Sequence, residues 1–154
     1  MELSEQLARH WKAVFTGGNW TSVNLRDTLS DVDLKRARTQ VRGVNAIAAL
    51  TYHLNYYTEG VLDVFAGKPL VIRDKYAWDL PELKEEDNWN RLRQRLLASG
   101  DKLADAIAAF PNDRWEYDFT DAKYGSYLSN IMGLTEHAHY HLGQMVIIKK
   151  LLRA

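Results

Sequence analysis

The sequence predicts an all-α protein, an up-down four-helix bundle with long crossover connections. Three observations support this. Apolar residues recur at spacings of three and four through four long stretches, no stretch reads convincingly as a strand, and glycine or proline punctuates the gaps. At 154 residues the chain fits a single domain, 1–154, with a sizeable core.

The first helix is expected over Glu2 to Phe15, where Leu3, Leu7, Trp11 and Val14 form the stripe and Gly17-Gly18 ends it. Trp20 to Leu29 reads as a shorter helix or an ordered loop, with Thr21 or Ser22 as the cap. A long helix follows from about Val44 to Phe65, with Ile47, Leu50, Leu54, Tyr57, Val61 and Val64 facing the core, closed by Gly67 and Pro69. Lys68 to Leu83 has no clear period. Asp87 to Phe110 places Trp89, Leu92, Leu96, Leu103 and Ile107 on one side, and Pro111 stops it. Asn112 to Gly125 is loop-like, and Ser126 is the expected cap of a last helix running to about Leu152. The two irregular connections are long enough to cover an end of a bundle.

Twenty basic and twenty acidic residues cancel, so no global field draws nucleic acid or an anionic membrane. The local basic group Lys35, Arg36, Arg38 and Arg42 reads as a solvated face. Without cysteine there is no disulfide, no thiolate ligand and no cysteine nucleophile, and metal ligands must be nitrogen or oxygen donors. The opening MELSEQLARHWKAVF is charged and amphipathic with no signal-peptide core, and no apolar run reaches membrane-span length. A cytoplasmic protein is expected.

The histidines are the informative residues. His137 and His141, four apart, offer two imidazoles to one point, and the stripe Leu134, His137, His141, Met145, Ile148 places both where core residues belong. His53, between Leu50 and Tyr57 in an earlier helix, can reach the same point across an interface. Buried imidazoles cost roughly 1–3 kcal/mol per unpaired polar group, and a shared metal ion satisfies all three at once. Separate bonds to carbonyls, tyrosines or water are the alternative. Three neutral imidazoles with an open fourth position form the ligand pattern of a catalytic metal site. His139 is rotated about 200° from each member of the pair and is left out. His10 is expected at the surface, as are Glu136 and Glu59. Neither His137 nor His141 has a glutamate three residues before it, as the Glu-x-x-His di-iron arrangement would need, and the HExxH pattern is absent because Ala138 follows His137.

Tyr56, one turn from His53, and Tyr140, one turn from His137, either line a pocket or pack between helices. Gln144 either orients a ligand or bound water, or ties two helices together.

The stretches LTYHLNYYTEGVLDVFAG and EHAHYHLGQMVIIKKLL, with an early NWTSVNLRDTL, resemble the signature segments of the DinB-like (YfiT-type) superfamily of four-helix-bundle metalloenzymes, and the likeness covers essentially the whole chain. The most specific element is HxxxHLGQ, from His137 to Gln144. By motif position the resemblance makes His53, His137 and His141 the ligands of one divalent ion (nickel, zinc or iron) and excludes His139. It also implies a homodimer, with which five tryptophans agree, and a low-molecular-weight thiol as co-substrate, as in bacillithiol transferases and mycothiol-dependent maleylpyruvate isomerase. Asn55, Tyr56 and Tyr57 stand where many members carry a tryptophan. With no cysteine in the chain, the thiol would arrive as a small molecule. Two function classes follow: a metal-dependent transferase or hydrolase, and a non-catalytic metal- or ligand-binding dimeric module.

Overall fold

A computed structural model describes residues 1–153. It contains six α-helices: α1 (Leu3–Thr16), α2 (Leu25–Ser30), α3 (Leu34–Arg38), α4 (Ile47–Phe65), α5 (Glu86–Ala108) and α6 (Tyr127–Arg153). Among the described residues there is no β-strand, and one isolated antiparallel bridge joins Asp118 to Ser126. No described helix is long and apolar enough to cross a membrane.

The four long expected helices are α1, α4, α5 and α6. Helix α5 packs against both α1 and α4, and α4 also meets α6. Their stripes are buried as the spacing requires: Trp11 and Val14 in α1, Ile47, Leu50, Leu54, Val61 and Val64 in α4, Trp89, Leu96, Leu103 and Ile107 in α5. Leu3 is an exception and is exposed.

Three tryptophans anchor this core, and each buried indole N–H has an acceptor, as buried tryptophan requires. Trp11 donates to the Gly100 carbonyl at 2.9 Å, Trp89 to the Val32 carbonyl at 2.6 Å, and Trp115 to Ser4 Oγ at 2.9 Å. Buried Asn55 and Ser99 satisfy each other across α4 and α5 at 2.8 Å.

The boundaries differ from expectation in three places. Helix α2 starts at Leu25, not near Trp20, and its cap is Asn24, whose Oδ1 accepts from Asp27 N at 2.9 Å. Neither Thr21 nor Ser22 caps it: Thr21 is bonded into a turn on Asn19 Oδ1, and Ser22 has φ 57°. Helix α3 was not anticipated. Its five residues are too few to show a period, but Asp33 caps it and Leu34 N donates to Glu86 Oε2 at 2.9 Å. The basic group sits there and just beyond, with Lys35, Arg38 and Arg42 exposed and Arg36 half-buried. Helix α4 begins at Ile47 because residues 41–44 form a turn with φ 50° at Arg42 and 76° at Gly43. Ser126 does cap α6, accepting from Ser129 N at 3.2 Å.

Candidate metal centre

Helices α4 and α6 bring the three predicted histidines together. Their ring nitrogens lie within 4.8 Å of one another, with His53 Nε2 3.0 Å and His141 Nε2 2.9 Å from His137 Nε2. His53 and His141 are buried and His137 is half-buried.

The outer nitrogens fix the tautomers. His53 Nδ1 donates to the Ala77 carbonyl at 3.1 Å, and a carbonyl can only accept, so its Nε2 presents a bare lone pair. His141 Nδ1 donates to Gln144 Oε1 at 2.6 Å, with the same consequence at its Nε2. Both lone pairs face His137 Nε2, which holds at most one proton when neutral. At least one of the two close contacts therefore sets lone pair against lone pair. A cation resolves this, and nitrogens each about 2 Å from one ion lie on the order of 3 Å apart. The donor set fits a divalent ion.

Burial lowers the pKa of all three imidazoles, because it disfavours the charged form. His137 is pushed down to about 4, by burial first and then by its two histidine neighbours. For His53 and His141 desolvation is again the main cause, opposed by the bonds to Ala77 and Gln144 respectively. The triad is thus held neutral, the state in which imidazole binds metal.

The surroundings come partly from the aperiodic stretch after α4. Trp78 stacks on His53 with ring centroids 3.8 Å apart and planes 15° from parallel. Tyr57 sets its ring 5.0 Å from His53 and 5.2 Å from His137, and its hydroxyl donates to Asp74 Oδ1 at 2.7 Å. Burial and Asp74 raise the Tyr57 phenol to about 12, so it stays protonated. A cleft of about 660 Å³ opens beside it, reaching His137 and lined in part by Val61, Ile72, Arg73, Phe119 and Leu134.

Gln144 fixes the ring of His141 through the bond to its Nδ1. Tyr56 does not line the cleft: its hydroxyl donates to the Arg73 carbonyl at 3.2 Å and accepts from Arg73 N at 2.9 Å. Tyr140 is 64% exposed and also lies outside it. Helix phase explains both, since a residue three positions on is turned about 60° away from its histidine, on the side opposite to the fourth. Tyr57, four positions from His53, points into the site instead. His139 faces another element as expected, packing toward exposed His10 with ring centroids 6.1 Å apart. Glu136 is exposed, and half-buried Glu59 pairs with Arg95 at 2.6 and 2.7 Å.

Sequence reasoning missed Trp78, the Ala77 carbonyl and Arg73, which lie in a stretch with no period to read. It counted Tyr57 as core, and the i+4 spacing from His53 was the available signal for its second role.

The family model of the DinB superfamily matches residues 19–145. No curated protein and no solved structure matches the chain.

Proposed function

The chain belongs to the DinB superfamily, and from that premise we propose that it is a metal-dependent enzyme of the thiol-dependent transferase or hydrolase type. The observation behind this is the cleft. It reaches His137 at the triad, and among the described residues no fourth histidine, cysteine, aspartate or glutamate joins the three. A closed structural site would spend its fourth position on a protein ligand.

His53, His137 and His141 would hold the ion. A divalent cation there would supply a Lewis-acid position that lowers the pKa of bound water or thiol. The chain's own residues set the terms on which a ligand enters. Ala77 and Gln144 lock two ligand rings, so the nitrogens stay aimed without reorganising. Trp78 covers one face of His53, shielding it from water. Tyr57 keeps its proton and donates it to Asp74, which holds the hydroxyl in place and leaves its oxygen free only to accept a hydrogen bond. The absence of cysteine means that any thiol substrate arrives as a small molecule.

We read the four long helices as an up-down bundle with long crossovers and the whole chain as one domain. We further propose that two copies pair through the outer face of α6, away from the cleft. Tyr140, Ile147 and Leu151 are exposed there, with Val44 alongside. A non-catalytic dimeric binding module is the second reading, favoured by the same exposed face.

Protein purified without a nickel column and submitted to elemental analysis should contain one divalent ion per chain. The loaded protein should then turn over substrates in a thiol-transfer and hydrolase screen. Metal at that stoichiometry with no turnover in either screen would favour the binding module, and no metal at all would end the metalloenzyme reading.

A further inference from the structure

Three successive residues of the stretch after α4 are fastened to that helix. Ile72 occupies the space that a side chain on Gly60 would need, since a Cβ there would lie 2.3 Å from Ile72 Cγ1. The Tyr56 hydroxyl brackets the peptide groups of Arg73. Asp74 accepts from Tyr57. Arg73 is therefore held by its own backbone at the cleft wall. Its guanidinium has no carboxylate within ion-pair distance among the described residues, because the adjacent Asp74 is turned to Tyr57.

Gly133 also lines the cleft, inside α6 and one turn before His137. Glycine in a helix interior costs about 0.5–1 kcal/mol relative to alanine. Nothing in the protein's own packing explains that cost, since a Cβ on Gly133 would meet no atom within 4 Å. The missing side chain widens the cleft on the approach to the triad. Val61, Leu70, Ile72, Phe119 and Leu134 supply apolar lining, and Asp74, Ser129 and Asn130 add polar groups to the same cleft.

We infer that the cleft takes a small molecule with an apolar body and a carboxylate, the carboxylate pairing with Arg73 and the body lying over Gly133 on the way to His137. The volume of about 660 Å³ suits such a ligand. One guanidinium balances a single negative charge, whereas a phosphate group brings on the order of two. The inference rests on the metal reading only for what happens at the far end of the molecule. The Arg73 and Gly133 contacts do not need the ion.

Calorimetric titration of the metal-free protein with 3-phenylpropionate and its neutral amide, 3-phenylpropanamide, tests this. The carboxylate should bind the more tightly. Arg73→Gln should weaken it roughly tenfold, as expected for loss of a charge-assisted pair, and leave the amide unchanged. Gly133→Leu should abolish binding of both without lowering the melting temperature. Equal affinity of the wild type for the two probes, an unchanged Arg73→Gln variant, or an unchanged Gly133→Leu variant would each overturn the proposal. His53→Ala separates the two readings, because it should lose metal yet keep the preference for the carboxylate. A protein that never binds metal but shows the Arg73-dependent preference refutes the metal centre alone. Metal binding without that preference refutes only the present inference.

Discussion

Gly100 and Gly133 are both helix-interior glycines, yet their surroundings are opposite. A Cβ on Gly100 of α5 would lie 2.3 Å from the Phe15 ring, so that glycine exists to let α1 press against α5. The same atom on Gly133 of α6 would touch nothing. On the α1/α5 side Phe15 fills the space at Gly100, and Trp11 donates to the Gly100 carbonyl itself. On the α4/α6 side a gap is left open beside three imidazoles with depressed pKa values. One interface is closely packed at its glycine, and the other leaves a cleft beside its own.

The largest expected effect lies on the open side. His53→Ala or His141→Ala should lower metal content from one ion per chain to near none, while His139→Ala should leave it unchanged. Both ligands present inward lone pairs, whereas His139 Nδ1 donates to the Thr135 carbonyl at 3.2 Å and its ring turns toward His10. Elemental analysis of the three variants reads this directly. Equal loss in all three would mean that the ion sits elsewhere.

On the packed side, Gly100→Ala should destabilise the fold by about 1–3 kcal/mol, the usual cost of overfilling a close-packed site. Urea unfolding with an unchanged slope would measure it. A neutral result would show that Phe15 moves aside freely and that α1/α5 is looser than its geometry implies.

These contrasts were unevenly legible in the sequence. The triad was readable because two of its members obey the i, i+4 rule inside an apolar stripe, and the third lies in an equally periodic helix. Helix phase also separated His139 correctly. For the i+3 neighbours Tyr56 and Tyr140 the same rule left pocket lining and packing both open, because a shared side of a helix is not yet a shared pocket. Residues 72–78 were opaque for a different reason. Their positions depend on the Tyr56 hydroxyl, the gap at Gly60 and the His53 ring, all distant in sequence, and one of their contributions is a backbone carbonyl. Helix α3 was opaque because five residues cannot show a period. Gly133 could not be singled out in the sequence, since Gly60, Gly100 and Gly143 are also helix-interior glycines.

Acid sharpens the comparison with a smaller effect. The triad's folded pKa values lie below the ordinary imidazole value of about 6.5. Between that value and about 4, where His137 titrates, the unfolded chain binds more protons than the native one. Native stability of the metal-free protein should therefore fall as pH drops through this window, with little further loss from His137 below it. Bound metal should deepen the fall, since protons displace it from the same nitrogens. Denaturation midpoints of wild type and His137→Ala from pH 7.5 to 4.5 provide the check. The variant should show the shallower slope, and parallel curves would remove the triad as the cause.

The smallest effect should have the opposite sign from that at Gly100. Gly133→Ala places a methyl group where no atom lies within 4 Å, so it meets no steric penalty. Alanine also restricts the unfolded chain more than glycine does, and it suits a helix interior better. The variant should gain about 0.5–1 kcal/mol of stability, read as a higher urea midpoint at unchanged slope. A methyl group is too small to fill a cleft of about 660 Å³, so metal content should not change. If Gly133→Ala instead loses stability, α6 is in contact with a neighbour at that point and the cleft does not extend over Gly133. If it gains stability, the wild-type glycine is a departure from optimal folding at the wall that leads to His137, which is what a position reserved for a ligand requires.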